Sequence, residues 1–302
     1  MKLAGIFIAP LLLAACSSNH GQLGTEGNPI KMYFVPSVEA AKVVLDGGKV
    51  AQSLEKATGL RFKTAVPTNY AAVIEAMGSD EADIAWLATF AYVLAHDKYG
   101  AEVALTTTRN GMETYSGAIV ARANSGIATM EACGGKRMAW VDPASTSGFV
   151  YPSALFKQKG IRPSAEIFAG GHPQAVLAVY EGSVDCAAVY YGPPTADGVI
   201  RDARETLFKT RPDVTRVVAV IGQTDPIPND TVSFRKGFPS ELRATIVESL
   251  LSYANSAEGK QVLMELYSID GFVRSDDSRY QIVRDTLKAL NKQPGELLPQ
   301  PR

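Results

Sequence analysis

An alternation of strand-length apolar runs with helix-length segments constrains this chain most: it passes once through the first hundred residues, then starts again. Ile30 to Val35 reads as a strand, Val38 to Ala57 as a helix stopped by Gly59, and Arg61 to Val66 as a strand. A helix over Tyr70 to Met77, a short strand Asp83 to Trp86, a helix Thr89 to Tyr99 and a strand Val103 to Thr108 follow. Beyond another apolar strand, Tyr115 to Arg122, the rhythm resumes. It gives a strand up to Val141, a helix from Gly148, a short strand at Ile167, a helix His172 to Glu181 and a strand Cys186 to Tyr190. A helix around Ala196 to Leu207, a strand Val214 to Ile221 and, from Pro239, three helix-like runs complete the chain. This pattern predicts an α/β fold of mostly parallel sheets with helices on both faces. At 302 residues and 46% hydrophobic content the chain is long enough for one large core or two medium ones.

The two passes echo each other. Tyr70 is followed by Ala76, Asp83 and Ala85, and His172 by Ala178, Asp185 and Ala187 at the same spacings. Both segments read as helix, turn, strand, and each opens with a polar ring in the first turn of a helix. In open α/β sheets such helix starts sit beyond the carboxyl ends of the strands, where ligands bind, so Tyr70 and His172 are expected to face one cleft from opposite sides.

The richest candidate site lies between the strand ending at Val141 and the helix from Gly148. A helix start leaves backbone N–H groups unpaired and carries about +0.5 of a charge, and Ser145, Thr146 and Ser147 add three hydroxyl donors there. The feature suits a small tetrahedral oxyanion; it also suits an ordinary N-cap in a solvated turn.

Charge narrows the partners. With 30 Lys and Arg against 31 Asp and Glu the formal charge is −1, and no polybasic patch suited to nucleic acid is present. Lys2, the apolar run Leu3 to Leu13 and Leu13-Ala14-Ala15-Cys16 resemble the lipobox of bacterial lipoproteins. Residues 1–15 are thus expected to be a signal peptide, Cys16 to become a lipidated N-terminus, and Ser17 to Asn28 to form a flexible tether. In an exported chain the remaining Cys133 and Cys186 either pair as a disulfide or serve as two small buried hydrophobes.

Several of these runs together resemble the PhnD family, the phosphate, phosphite and phosphonate substrate-binding proteins of ABC importers. They are Asn69 to Ala76, Ala82-Asp83-Ile84-Ala85-Trp86, Asp142-Pro143 with Ser145-Thr146-Ser147-Gly148-Phe149, Gly171-His172, Val184-Asp185, and Ile227-Pro228 with Asp230. The resemblance implies a two-lobed type II periplasmic-binding fold with the ligand cleft between lobes. Residues 29–115 would form lobe one, 116–224 lobe two, and 225–302 the return to lobe one with C-terminal helices. The crossings near Tyr115 to Ile119 and Val220 to Asp225 would be hinges.

Carried over by position, the phosphonate group is held by Tyr70, Ser145, Thr146 and His172, with Ser147 adding its hydroxyl. A helix terminus contributes about 0.3–2 kcal/mol, whereas micromolar to nanomolar binding requires roughly 8–12, so five or six convergent donors and closure of both lobes are expected. Members that take aminoalkyl phosphonates have Tyr where this chain has Leu87, and Glu where it has Tyr190-Tyr191-Gly192. These departures imply loss of an amine-pairing carboxylate and a compact ligand (phosphate, phosphite or methylphosphonate), with Tyr190 or Tyr191 filling the space. Asp230 is left to accept from either a protonated oxyanion or an amine. The implied partners are a permease and an ATPase, with the membrane reached only through the lipid; no cofactor is implied. An enzymatic alternative groups His172 with Ser145 or Ser147 and Asp185, but no G-x-S-x-G elbow is present. Beside His172 only His20 and His96 remain, without metal-ligand spacing.

Overall fold

The computed structural model describes residues 21–289, so the expected signal segment, Cys16 and the first part of the tether lie outside the described residues. The first pass runs β1 (Ile30–Phe34), α1 (Ala40–Thr58), β2 (Phe62–Ala65), α2 (Tyr70–Gly78), β3 (Ile84–Leu87), α3 (Thr89–Tyr99) and β4 (Glu102–Thr108). The second runs β5 (Thr114–Arg122), β6 (Arg137–Trp140), α4 (Tyr151–Gln158) entered through one π turn over Thr146–Val150, β7 (Ala165–Phe168), α5 (His172–Glu181) and β8 (Cys186–Gly192). It closes with β9 (Arg201–Asp202), a 3-10 turn Ala203–Leu207, α6 (Val214–Val217) and β10 (Val218–Gln223). The chain then supplies β11 (Ile227–Pro228), β12 (Thr231–Phe234), α7 (Ser240–Asn255), α8 (Ala257–Tyr267), β13 (Gly271–Arg274) and α9 (Gln281–Ala289).

Two sheets result, in the orders β13-β4-β12-β3-β1-β2 and β10-β5-β8-β6-β7. Each is parallel on one side, β2-β1-β3 and β8-β6-β7, as crossover helices require. Antiparallel pairing completes each sheet, through β12, β4 and β13 in the first and β5 and β10 in the second. The strands that run against the rest are β12 and β13 in the first sheet and β5 in the second: β5 enters from one crossing between the sheets, and β12 and β13 belong to the segment that returns after the other, whereas β4, joined to β3 through α3, and β10 run with the parallel set. Period-2 alternation splits the first core. Ile84 and Trp86 pack with α1, α7 and α8 on one face, while Ala85 and Leu87 pack with α2 and α3 on the other. This second cluster continues through Val150 and Tyr151 of the second lobe and Val283 and Leu287 of α9, joining the lobes behind the cleft.

The crossings lie side by side. Thr114 and Tyr115 pair antiparallel with Pro228 and Ile227, and the Gly117 N–H donates to the Thr224 hydroxyl at 2.9 Å. Cys133 and Cys186 form a disulfide across 53 residues, between the 3-10 turn Met130–Cys133 that precedes β6 and the start of β8.

Three local expectations are corrected. Residues 21–28 are not a loose tether: Leu23 packs on the first core, and the Arg61 N–H donates to the Gly24 carbonyl at 2.8 Å. The helix expected over Ala196 to Leu207 is a turn, a bridge strand and a 3-10 turn, because the Thr195 hydroxyl takes the Val199 N–H at 2.9 Å, offering the backbone a non-helical partner. The strand expected from Val214 starts at Val218, since the N–H groups of Arg216 and Val217 turn back to the Asp213 carbonyl.

Candidate anion-binding cleft

Four helix starts point into the space between the sheets, each after the carboxyl end of a parallel strand: α2 after β2, α3 after β3, the π turn of α4 after β6, and α5 after β7. A cavity of about 750 Å³ opens there, with Tyr70, Ser145, Ser147, His172, Tyr190, Tyr191 and Asp230 in its lining. Tyr70 and His172 enter from opposite lobes at the first residues of α2 and α5.

Local bonds fix what each group can offer. The Ser145 hydroxyl accepts the Gly148 N–H at 3.1 Å, and the Thr146 hydroxyl accepts the Phe90 N–H at 2.7 Å. A hydroxyl that accepts from the backbone still has its own proton to donate. Thr146 is fully buried and lies behind the cavity wall rather than in its lining. Gly148 admits no side chain, since a Cβ there would lie 2.5 Å from Val141. Burial pushes the Tyr70 phenol well above its usual range, so Tyr70 is a donor at any working pH.

His172 carries a fixed tautomer. Its Nδ1 accepts the Tyr190 N–H at 3.2 Å, which puts the proton on Nε2. Burial first, and the Arg109 charge second, push the imidazole down to about 3, so it stays neutral and donates one N–H. The Tyr190 ring meets it edge-on, with centroids 4.9 Å apart.

Arg109, Tyr115, Tyr267 and Glu205 also line the cavity, although the sequence reading placed none of them there. Arg109 donates through Nη2 to Asp230 at 2.7 Å, through Nη1 to Asn229 at 3.1 Å and through Nε to the Tyr267 carbonyl at 3.1 Å. Its guanidinium lies 5.5 Å from the Tyr115 ring centre. Nor is this part of the cleft without a further carboxylate: Glu205 reaches it from the 3-10 turn. Glu205 accepts from the Tyr190 hydroxyl at 3.0 Å and from the Ser268 hydroxyl at 2.8 Å, and burial raises its pKa.

Protein bonds also span the cleft. The Thr146 to Phe90 bond joins the lobes, as does the His172 N–H to the Ser37 carbonyl at 3.1 Å. The buried Asp142 carboxylate accepts the Ala144 N–H at 2.8 Å and faces the Tyr70 N–H in the other lobe.

The echoed aspartates have equivalent structural tasks. Asp83 accepts the Lys31 N–H at the start of the neighbouring parallel strand at 2.8 Å, and Asp185 accepts the Arg137 N–H at 2.9 Å. Asp185 lies five residues of extended strand from Tyr190, on the order of 16 Å, so no Ser–His–Asp relay is assembled with His172. Among the described residues no group of three His, Cys, Asp or Glu is placed to hold a metal, and no helix is long and apolar enough to cross a membrane.

The family described as the periplasmic substrate-binding protein of the phosphonate ABC transporter matches residues 32–280. The phosphate-import protein PhnD of Mycolicibacterium smegmatis is 31% identical over 199 residues, 60% of this chain and 62% of that protein. The phosphonates-binding periplasmic protein of Escherichia coli is 26% identical over 226 residues, 71% of this chain and 63% of that protein. The aligned regions thus span less than two thirds of either relative. Among solved structures, a binding component of a Pseudomonas aeruginosa ABC phosphonate transporter superimposes with a TM-score of 0.76 at 24% identity over 87% of each chain. PhnD1 of Prochlorococcus marinus in complex with methylphosphonate gives 0.75 at 16% identity, over 87% of this chain and 98% of that one. At these identities the superpositions establish a shared fold, the two-lobed periplasmic-binding architecture.

Proposed function

Because this chain belongs to the periplasmic phosphonate-binding family of ABC transporters, we propose that it is the solute-capturing lipoprotein of an importer and closes its lobes on a small phosphorus oxyanion. Phosphate, phosphite and methylphosphonate are the ligands in view. The observation that carries the reading is the convergence on one cavity of helix starts from both lobes with the hydroxyls of Tyr70, Ser145 and Ser147 and the neutral Nε2–H of His172. Hydrogen bonds to a charged group are worth about 1.5–3 kcal/mol each, so such a set exceeds the cost of association where one helix end does not. The 29–115 and 116–224 division, with hinges at the paired crossings, accounts for donors arriving from both sides. The acyl chain on Cys16 would anchor the protein outside the cytoplasm, to the cell membrane or the outer membrane, where it would serve a permease and an ATPase. The role is binding rather than catalysis.

The test is calorimetric titration of protein freed of ligand by partial unfolding, against phosphate, phosphite, methylphosphonate and 2-aminoethylphosphonate. Binding of a compact oxyanion that Ser145→Ala or His172→Ala weakens at least about tenfold is expected. Indifference to all four compounds overturns the reading. Loss of the protein from the membrane fraction in Cys16→Ser tests the anchor.

A further inference from the structure

The cavity of about 750 Å³ continues from the anion cradle toward Arg109 and the mouth, where Val199 and Phe208 are partly exposed, so a substituent on phosphorus has room there. Of the four carboxylates in the cavity lining, Glu39, Glu205, Asp230 and Glu265, two are engaged with Arg109 or with residues that share the lining with it. Asp230 is held by Arg109, while Glu205 is held by Tyr190, Ser268 and, at 3.7 Å, Arg201. Arg109 itself uses three N–H groups on Asp230, Asn229 and Tyr267, leaving two of its five donors. With 17% of its side chain exposed and with a place in the cavity lining, it presents a fixed positive charge to any guest.

We propose that Arg109 is the specificity-determining residue of the cleft: locked on Asp230, it turns the space beside the anion cradle against ammonium-bearing substituents and toward uncharged or anionic ones. The inference rests on the reading of the cleft as a phosphorus-oxyanion site. An ammonium group entering beside Arg109 finds Asp230 and Glu205 already paired and a resident guanidinium next to it, a like-charge contact in a poorly solvated site. A methyl, hydrogen or hydroxyl substituent meets no such penalty, and a carboxylate finds spare donors.

The two members of the pair make opposite predictions. Arg109→Gln removes the cation and releases the Asp230 carboxylate, so the preference for methylphosphonate over 2-aminoethylphosphonate falls by roughly tenfold or more. Asp230→Asn leaves Arg109 without its counter-charge, so that preference rises by roughly threefold or more, and phosphonoacetate binds more tightly than it does to the parent protein. A residue that only supports packing would weaken all ligands alike in both variants. Titration of the three proteins, each checked for a cooperative melt, decides. Ratios that move in opposite directions support the proposal, and ratios that agree within about threefold overturn it. Should Arg109→Gln not fold, the Asp230→Asn ratio alone carries the decision, because a fall or no change there contradicts the proposal. Failure of the parent protein to bind any of these anions overturns the oxyanion reading beneath it, which is a different result from unchanged selectivity.

Discussion

His172 is where residue chemistry reaches solution behaviour. Folded, its imidazole stays neutral down to about 3; unfolded, it takes up a proton below about 6.5. Its contribution to stability is therefore fully present above pH 6.5 and is lost as the pH falls from there toward 3, where the unfolded chain binds the extra proton. Urea unfolding at pH 7 and pH 4 should show this as a loss on the order of 3 kcal/mol. His172→Gln keeps an acceptor for the Tyr190 N–H and a donor for the ligand, and should lack that part of the pH slope. Tyr70, Ser145, Ser147 and His172 were legible in the sequence because a helix start and a polar side chain are local signals. Arg109 was not. It precedes Asn110 and Gly111, whose φ values of 52° and 68° form a tight turn between the bridged Arg109 and Met112, so locally it reads as a solvated turn residue. Its partner Asp230 is 121 residues away.

Elements with their own periodicity were also legible, and those defined by a remote partner were not. β12 and β13 have four residues each, and in the chain they precede or interrupt helical runs; only pairing with β3 and β4 makes them strands. The disulfide ties the turn before β6 to β8, the strand that carries Tyr190, and closes a 53-residue separation, which by chain entropy corresponds to about 4 kcal/mol. Cys133→Ala/Cys186→Ala should lower the urea midpoint by an amount of that order. Oxyanion affinity in native buffer should stay within about threefold, because neither cysteine lines the cleft. A large loss of affinity in well-folded double variant would show that the bridge positions the site as well as stabilising it.

At the scale of the whole molecule, the order of the two lobes was readable because the strand–helix rhythm stops and restarts, but the bonds that bring the lobes together were not. Thr146 shows the difference: as one of three hydroxyls at a helix start it reads as a ligand contact, yet its oxygen takes the Phe90 N–H of the other lobe. Thr146→Val leaves that buried N–H without an acceptor, a cost of about 1–3 kcal/mol borne by the closed arrangement. The variant should bind about tenfold more weakly, and small-angle scattering in saturating oxyanion should give a larger radius than the parent protein. Equal affinity and equal radius would assign closure to the other bonds across the cleft.

The bonds from Thr146, His172 and Asp142 run between protein atoms on both sides of the cleft, and this has a consequence in time. If binding requires the lobes to part and re-close, as the proposed function implies, the anion is taken in only after these bonds break. The association rate should therefore level off with rising ligand concentration at the frequency of opening, and dissociation should run on the same clock. On that reading, a partner that hastens unloading would do so by parting the lobes rather than by competing for the anion.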